Sequence, residues 1–427
     1  MMGGDFFDAL ETRSPEAREA ALMAALSAQV QAARAVPALA QLLAGVQSGA
    51  VNSRAALAAL PVTRKHELLD KQQAQRANGP GQGHDPFGGF SAIGWAALRT
   101  PRAARRVYQS PGPIYEPEGH APDYWRTARA LFAAGLRPGD LLHNSFSYHL
   151  TPGAWIMEAG AQALGCTVFP GGVGNTELQL QAMSDLRADA YAGTPSFLRI
   201  LLEKAAEARL ALPMLKKALV SGEAFPPSLR DAFAAQGVQA YQAYATADVG
   251  LIAYETAARE GLVLDEGVIV EIVRPGTGDP VPEGEVGELV VTVLNADYPL
   301  LRFGTGDLSA VLPGACPSGR TNTRIKGWLG RADQTAKVRG MFVHPGQVAE
   351  VLKRHPEALK ARLVVEGAMA NDRMTLHVEA LGAPEGLSDA LMGSVRELTK
   401  LRGEVQLVAP GSLPNDGKVI EDRRRYD

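Results

Sequence analysis

Residues able to do chemistry gather in the last third of the chain, and a lysine near its end has the clearest setting. Segment 415–418 reads Asn-Asp-Gly-Lys, and Asp-Gly is a strong signal for a tight turn. A lysine on such a turn can bring one ammonium to a place where negative charge develops, for example where a carboxylate attacks a phosphate. The alternative is a solvated turn lysine.

Three further motifs precede this lysine. Residues 305–307 read Thr-Gly-Asp, residues 330–333 read Gly-Arg-Ala-Asp and residues 337–340 read Lys-Val-Arg-Gly. Each motif alone fits a polar turn. Their shared order and close spacing favour one site, with a domain boundary and hinge near residues 331–333.

Composition excludes several classes of protein. A chain of 427 residues is too long for one core, so two or three domains are predicted. The net charge is −3, so the composition does not indicate the basic surface that nucleic-acid binding requires. Glu158 interrupts the best apolar run, which is shorter than the ~18 residues of a membrane helix. Cys166 and Cys316 lack metal-ligand spacing, and the N-terminus lacks signal-peptide regions. We expect a cytoplasmic globular protein without nucleic-acid or membrane partners.

Hydrophobic periodicity predicts the elements that must position these residues. Ser14-Pro15 has the form of a helix N-cap, and an amphipathic helix is predicted over about residues 15–35. The Gly/Pro/Gln-rich tract 78–89 indicates a surface loop. Beyond about residue 125, helical stretches alternate with short apolar runs, as in a parallel sheet with helices on its faces. These runs are 141–142, 167–169, 190–192 and 218–220.

The pattern changes after Gly261. Strand-like segments 268–273 and 288–293 flank a Gly/Pro-rich turn, which predicts an antiparallel subdomain. The last 95 or so residues carry two amphipathic helices and three short strands, enough for a small domain. We predict an α/β protein. Residues 1–331 form a large domain of mostly parallel sheets flanked by helices, with an antiparallel β subdomain, and residues 332–427 form a small mobile α+β lid.

Motifs along nearly the whole chain resemble those of the phenylacetate–CoA ligase family, a branch of the acyl-CoA synthetase, adenylation-domain and luciferase superfamily. Besides the C-terminal motifs, which are the most specific, the matching segments are 60–65, 85–88, 193–196, 221–224, 244–248 and 298–303. The resemblance implies an AMP-forming acid–CoA ligase. An aromatic, phenylacetate-like carboxylate attacks ATP to give an acyl-adenylate and pyrophosphate, and the CoA thiol then displaces AMP.

The resemblance assigns nucleotide binding to the large domain. A glycine in the loop at 221–224 lets the adenine approach closely, and Tyr244 packs on the adenine face. Asp307 accepts from both ribose hydroxyls, because an ionised carboxylate offers two acceptor oxygens. The alternative interpretations are that residues 221–224 form an ordinary strand-to-helix glycine turn and that Tyr244 is a core tyrosine. The residues assigned are Ser221, Gly222, Glu223, Ala224, Tyr244, Ala245, Thr246 and Asp307.

The resemblance also implies ATP, Mg²⁺ and CoA as cofactors, with a small carboxylic acid as the other partner. Asp248 stands where the family usually has glutamate and would hold Mg²⁺, which takes one or two protein carboxylates and leaves its other positions to water and phosphate. A helix N-cap is the alternative role for Asp248. The family further implies a homodimer, which no heptad or motif of this chain indicates.

The resemblance also assigns roles to residues at the hinge and in the predicted lid. Arg331 would reach the ribose region, and Asp333 would be the hinge. Arg339 and Gly340 resemble the loop that lines the pantetheine tunnel after the lid rotates. Lys418 resembles the adenylation lysine, which stabilises charge in the transition state.

The chain departs from the family at the phosphate loop. Members typically carry Thr-Thr-Gly-Lys-Pro there, whereas segment 108–117 reads Tyr-Gln-Ser-Pro-Gly-Pro-Ile-Tyr-Glu-Pro. Pro111 and Pro113 offer no N–H to a phosphate, no lysine is present, and Glu116 would repel a triphosphate. The metal-spaced cysteines that other members carry after residues 254–255 are also missing, so no zinc site is predicted.

The acyl site and the reaction leave alternatives open. Phe146 and Tyr148 fall where the family contacts aromatic acids, but they are also ordinary aromatics for a sheet edge. A non-catalytic homologue that binds nucleotide or acyl-adenylate would explain the altered loop, although it would not need Lys418. An adenylating enzyme with an amine or carrier-protein acceptor is the third hypothesis. The sequence does not identify the acid.

Overall fold

The chain folds as two compact units, Met1–Leu329 and Gly330–Asp427. The computed structural model describes residues 5–77, 84–101, 103–275, 277–332, 334, 336–343, 345–367, 371–380, 382, 385–414 and 419–424. Within these ranges, no helix has both the length and the apolar character needed to cross a bilayer.

Helices of the first unit include the predicted N-terminal one, which is confirmed. The Ser14 hydroxyl caps it by accepting a hydrogen bond from the Ala17 amide at 3.1 Å. Short 3₁₀ turns lie at Ala9–Thr12, Ser48–Ala50 and Trp95–Arg99. The α-helices are α1 Pro15–Arg34, α2 Pro37–Leu42, α3 Arg54–Ala58, α4 Lys65–Ala77, α5 Ala128–Ala133, α6 Gly153–Leu164, α7 Thr176–Asp185, α8 Pro195–Glu207 and α9 Pro227–Ala235.

Strands of the first unit form two large sheets and one hairpin. They are β1 Thr63–Arg64, β2 Arg106–Ser110, β3 Ile114–Glu118, β4 Leu141–Asn144, β5 Thr167–Pro170, β6 Ala190–Gly193, β7 Lys217–Val220, β8 Gln239–Thr246, β9 Gly250–Glu255, β10 Leu262–Leu264, β11 Val268–Val273, β12 Gly287–Val293, β13 Phe303–Ser309, β14 Val311–Leu312 and β15 Arg324–Ile325.

The larger sheet has the order β14-β15-β10-β9-β8-β7-β6-β4-β5. From β8 to β5 the strands are parallel, as predicted, and from β8 to β14 they are antiparallel. Strands β6 and β7 are almost wholly buried, as expected where helices cover a parallel sheet. The predicted α/β class is therefore confirmed.

The second sheet has the order β1-β13-β12-β11. Its strands β11, β12 and β13 are antiparallel, which confirms the predicted subdomain after Gly261. Strand β1 pairs in parallel with β13, so it brings the start of α4 next to the strand that carries Asp307.

The tract predicted as a surface loop is partly outside the described residues, and its described end is not on the surface. Phe87 is only 1% exposed. The Asp85 carboxylate accepts hydrogen bonds from the amides of Phe87 at 2.9 Å and Gly89 at 2.8 Å. The surface prediction is wrong at Phe87 and Gly88, which are buried because the Asp85 turn directs Phe87 inward, whereas residues 84–86 and 89 are partly exposed.

The second unit is a small α+β fold with its own apolar core. A sheet of order β21-β20-β19-β22 packs with two helices. Buried residues such as Val351, Leu363 and Leu391 form this core. The elements are β16 Gly330–Arg331, β17 Ala336–Val338, β18 Met341–Val343, α10 Pro345–Arg354, β19 Ala358–Glu366, β20 Arg373–Ala380, α11 Leu387–Thr399, β21 Glu404–Val408 and β22 Ile420–Asp422.

Candidate active site

The predicted adenine loop lies at the carboxyl ends of the parallel strands, where open α/β sheets bind ligands. Residues 221–224 follow β7 directly. The Ser221 hydroxyl donates to the Ala243 carbonyl at 2.7 Å and so ties the loop to β8. Gly222 has a φ of 82°, which favours glycine. The Glu223 carboxylate accepts from the Ser196 amide at 3.3 Å, and Ala224 is partly buried.

Asp307 on β13 and Tyr244 on β8 meet in the structure. The Tyr244 hydroxyl donates to Asp307 Oδ2 at 2.7 Å, and the Trp328 indole Nε1 donates to Asp307 Oδ1 at 3.1 Å. A carboxylate oxygen can accept more than one hydrogen bond. A carboxylate fixed at this sheet edge can therefore accept from two neighbouring hydroxyls, such as those of a ribose.

Trp328 is a contact that the sequence reasoning did not single out as a site residue. It is the one aromatic residue in segment 324–333, and this was the feature of the sequence that could have identified it as a site residue. Its side chain is half exposed, at 38%, although the indole N–H points to Asp307. Ala245 and Thr246, also assigned to the nucleotide, end β8, and the Thr246 hydroxyl oxygen accepts from the Val249 amide at 3.1 Å.

Asp248 lies in the turn between β8 and β9 and is 5% exposed. It does not cap a helix, so the alternative role predicted for it is wrong. Both carboxylate oxygens accept hydrogen bonds from Lys65 Nζ, Oδ2 at 2.8 Å and Oδ1 at 3.1 Å. Burial would raise the pKa of Asp248, but the Lys65 ammonium and the hydrogen bonds to the carboxylate together hold that pKa below its usual range. The metal role of Asp248 stays a prediction.

Glu116 lies on β3, opposite Tyr108 on β2, and is 1% exposed. Its carboxyl group lies against Asp248 and Ser110, and within the described chain neither of its oxygens has a well-formed hydrogen bond. Burial, reinforced by the negative charge of Asp248, raises the pKa of Glu116 well above its usual range. Because Glu116 is buried together with both of its carboxyl oxygens, it does not face a triphosphate, and the predicted repulsion by Glu116 is wrong.

The raised pKa of Glu116 predicts a pH-dependent stability. Because the folded pKa exceeds the unfolded value of 4.5, the contribution of this group is complete below that value and is lost as the pH rises towards the folded pKa. Glu116→Gln keeps the shape and cannot ionise. We expect Glu116→Gln to be about 1–3 kcal/mol more stable than the wild type at about pH 8 and to lose this advantage towards about pH 5.

Urea unfolding of both proteins across that pH range measures the difference. Glu283→Gln, at an exposed loop position, is the matched control and should follow the wild type at every pH. A Glu116→Gln variant with the same pH profile as the wild type would contradict the assignment of a neutral, buried Glu116.

The two aromatics assigned to the acid differ in their surroundings. Phe146 packs at the margin of the core under the parallel sheet. The Tyr148 hydroxyl donates to Glu158 at 2.8 Å and accepts from the Asn144 amide at 2.9 Å. Its ring meets Trp155 edge-on, with 4.9 Å between centroids. These contacts fix the Tyr148 ring as a flat, immobile surface.

The remaining assigned residues belong to the second unit. Arg331 lies in β16, whereas Asp333 and Lys418 lie outside the described residues. Arg339 and Gly340 form the turn between β17 and β18, with φ angles of 46° and 83°, as in a two-residue hairpin turn. The Arg339 guanidinium donates to the Asp372 carbonyl at 2.8 Å.

The chain flanking Lys418 is anchored on both sides. Before it, the Pro414 carbonyl accepts from Lys360 Nζ at 3.0 Å and from Arg362 at 3.1 Å. After it, the Val419 amide donates to the Gln334 side chain at 2.7 Å.

Known proteins resemble this chain in sequence and in fold. Residues 126–293 match the family model described as AMP-binding enzyme. The chain resembles the 2-hydroxyisobutyryl-CoA ligase solved with 2-HIB-AMP and CoA, with a TM-score of 0.79 and 26% identity over 97% of this chain and 92% of that one.

Curated relatives give the sequence evidence for the family. A phenylacetate–coenzyme A ligase of Thermus thermophilus is 32% identical over 385 residues, which cover 85% of this chain and 82% of the relative. The corresponding ligase of Aromatoleum evansii is 31% identical, over 78% of this chain and 74% of the relative. The family resemblance of the motifs is thereby confirmed. The chain belongs to the phenylacetate–CoA ligase family and is an AMP-forming acid–CoA ligase.

Proposed function

We propose that this protein activates an aromatic, phenylacetate-like carboxylic acid with ATP and transfers the acyl group to CoA. The observation that carries the proposal is the Asp307 carboxylate, held by Tyr244 and Trp328 beside the loop at residues 221–224. This arrangement suits the ribose and adenine of an acyl-adenylate. The relatives named as phenylacetate–CoA ligases support the same chemistry.

The proposed reaction has two displacements at one nucleotide site. A carboxylate oxygen of the acid attacks the α-phosphorus of ATP, and pyrophosphate leaves with the electron pair of the broken P–O bond. The CoA sulfur, as thiolate, then attacks the acyl carbon, and AMP leaves. Dividing the reaction makes each step a displacement of a good leaving group.

Residues 332–427 form the lid in this proposal and turn about Asp333. In one position Lys418 places its ammonium at the attacking carboxylate, where it stabilises the charge of the transition state. In the other position Arg339 and Gly340 line the path of the CoA pantetheine, and Arg331 contacts the ribose. A cytoplasmic homodimer is also part of the proposal and rests on the family resemblance alone.

Preference for an aromatic acid follows from the rigid rings near the carboxyl end of β4. Tyr148 is fixed by its two hydrogen bonds and by Trp155, so it offers a flat wall that does not need to be ordered on binding. We expect pyrophosphate release to be at least about tenfold faster with an aryl acid than with a long-chain fatty acid, a difference of about 1.4 kcal/mol.

A pyrophosphate-release assay on a panel of carboxylic acids, with and without CoA, tests the proposal. The panel includes phenylacetate, benzoate, long-chain fatty acids and 2-hydroxyisobutyrate, the acid named for the structural neighbour. Faster turnover of a fatty acid or of 2-hydroxyisobutyrate would overturn the aromatic preference. No pyrophosphate with any acid would favour the non-catalytic alternative, and release without any acyl-CoA product would favour another acceptor.

A further inference from the structure

Lys65, the first residue of α4, makes an ion pair that the reaction scheme above does not use. Its ammonium lies 2.8 and 3.1 Å from the two oxygens of Asp248. The Lys65 side chain is 39% exposed and that of Asp248 is 4% exposed. The cation therefore approaches the carboxylate from the solvent side and covers both of its oxygens.

This carboxylate is also the predicted ligand for Mg²⁺, and its surroundings do not fit that ion. Mg²⁺ requires direct oxygen ligands at about 2.0–2.1 Å and a nearly octahedral shell. Both oxygens of Asp248 already accept from an ammonium, and a dication at either would face the positive charge of Lys65.

The other acid in the cluster offers no replacement ligand. Glu116 is only 1% exposed, so its carboxyl group is not open to an ion that approaches from solvent. The Tyr298 hydroxyl is buried near both acids and has no hydrogen-bond partner within the described chain. Lys65 thus places a positive charge directly against this buried cluster.

The β2–β3 hairpin, which stands in place of the family's phosphate loop, is attached to the helix that carries Lys65. Only residues 111–113 separate its strands. The Gln72 side chain on α4 accepts from the Tyr115 amide at 2.8 Å and donates to the Tyr115 carbonyl at 2.9 Å. The hairpin is thus fixed, and its two prolines offer no N–H to a phosphate.

We propose that the Lys65 ammonium takes the place of a divalent metal at Asp248, so that this site binds adenylates independently of Mg²⁺ and holds ATP no more tightly than AMP. This inference rests on the proposed function, because it assumes that nucleotides bind at Asp307. In this proposal, Lys65 determines whether nucleotide binding depends on Mg²⁺ and whether the site prefers ATP to AMP.

Calorimetric titrations of the full-length wild type with AMP and with ATP, each in excess Mg²⁺ and in EDTA, test the inference. We expect the ATP affinity to change less than about tenfold between Mg²⁺ and EDTA, and to stay within about tenfold of the AMP affinity. A tenfold or larger change in ATP affinity between Mg²⁺ and EDTA, or a tenfold or larger preference for ATP over AMP, would overturn the inference but not the proposed function. If neither AMP nor ATP binds, both the proposed function and the inference are overturned.

Mn²⁺ alone, followed by electron paramagnetic resonance, gives a second test without nucleotide. We expect the wild type to bind no Mn²⁺ at Asp248, and Lys65→Met to gain about one Mn²⁺ per chain because the covering cation is gone. The gain should disappear in the double variant Lys65→Met/Asp248→Asn. Lys71→Met is the matched control on the same helix, where the Lys71 ammonium lies over the Phe90 ring at 5.7 Å, and it should gain none.

Two results of the Mn²⁺ experiment would overturn the inference. One is a wild-type Mn²⁺ site that Asp248→Asn abolishes. The other is a folded Lys65→Met variant, as judged by circular dichroism and AMP binding, that gains no Mn²⁺. Should Lys65→Met fail to fold, the comparison of the wild type with Asp248→Asn decides the matter.

Discussion

Replacing Lys418 with alanine is expected to lower the rate of acyl-adenylate formation by a factor of about 10²–10³, the loss that follows removal of one electrostatic donor from a transition state. The attacking carboxylate and the phosphate both carry negative charge, and in the proposed scheme the Lys418 ammonium is what offsets that charge. Thioester formation from a premade acyl-adenylate and CoA should be spared, because in the proposed scheme the lid presents a different surface in that step.

Pyrophosphate release measures the first half-reaction, and acyl-CoA formation from a synthetic acyl-adenylate measures the second. Lys353→Ala, on the exposed face of α10 with a side chain 79% exposed, removes a lysine of the same unit and should leave both rates unchanged. An equal loss in both half-reactions of Lys418→Ala would refute the lid assignment.

The strands of the parallel sheet were predictable because each is a short apolar run between helical stretches. The run predicted at 190–192, for example, is the buried strand β6. Burial on both faces forces continuous apolar residues, and this leaves a signal in the sequence. By contrast, β14 and β15 have two residues each. No hydrophobic period exists at that length, so only the tertiary pairing defines them.

The site was predictable where its residues lie in contiguous motifs. Asp307 and Tyr244 belong to segments with a recognisable order, and the structure joins them by a hydrogen bond. Trp328 lies within such a segment, but its partner was not evident, because the indole N–H reaches Asp307 only when β13 and the segment after β15 are folded together.

The cluster of Lys65, Glu116 and Asp248 could not be predicted from the sequence. Its members come from a helix start, a hairpin strand and a turn that are distant along the chain. The sequence analysis also expected Glu116 to face a triphosphate, whereas Glu116 is buried. A sequence shows a carboxyl group, whereas its protonation depends on burial and on the neighbouring Asp248. Motifs therefore reveal which groups are available, and tertiary contacts decide their charge.

Asp307→Asn is expected to weaken AMP binding by about 1–3 kcal/mol, which is roughly 5- to 150-fold, the range for losing hydrogen bonds to a charged group. Asparagine keeps one acceptor oxygen and replaces the other with an NH₂ donor. It therefore no longer offers an acceptor at both side-chain positions to the two ribose hydroxyls. It also cannot accept from both the Tyr244 hydroxyl and the Trp328 indole, which each donate to Asp307.

Isothermal titration with AMP measures the loss, and two further variants separate its causes. Tyr244→Phe and Trp328→Phe each remove one donor that orients the carboxylate but leave its charge and both oxygens, so each should weaken AMP less than Asp307→Asn does. Asp279→Asn, an exposed turn residue of the same subdomain, is the matched control and should bind AMP as the wild type does. Unchanged AMP affinity in a folded Asp307→Asn protein would place the ribose away from β13, because a carboxylate that accepts from a bound hydroxyl cannot be replaced by an amide without loss.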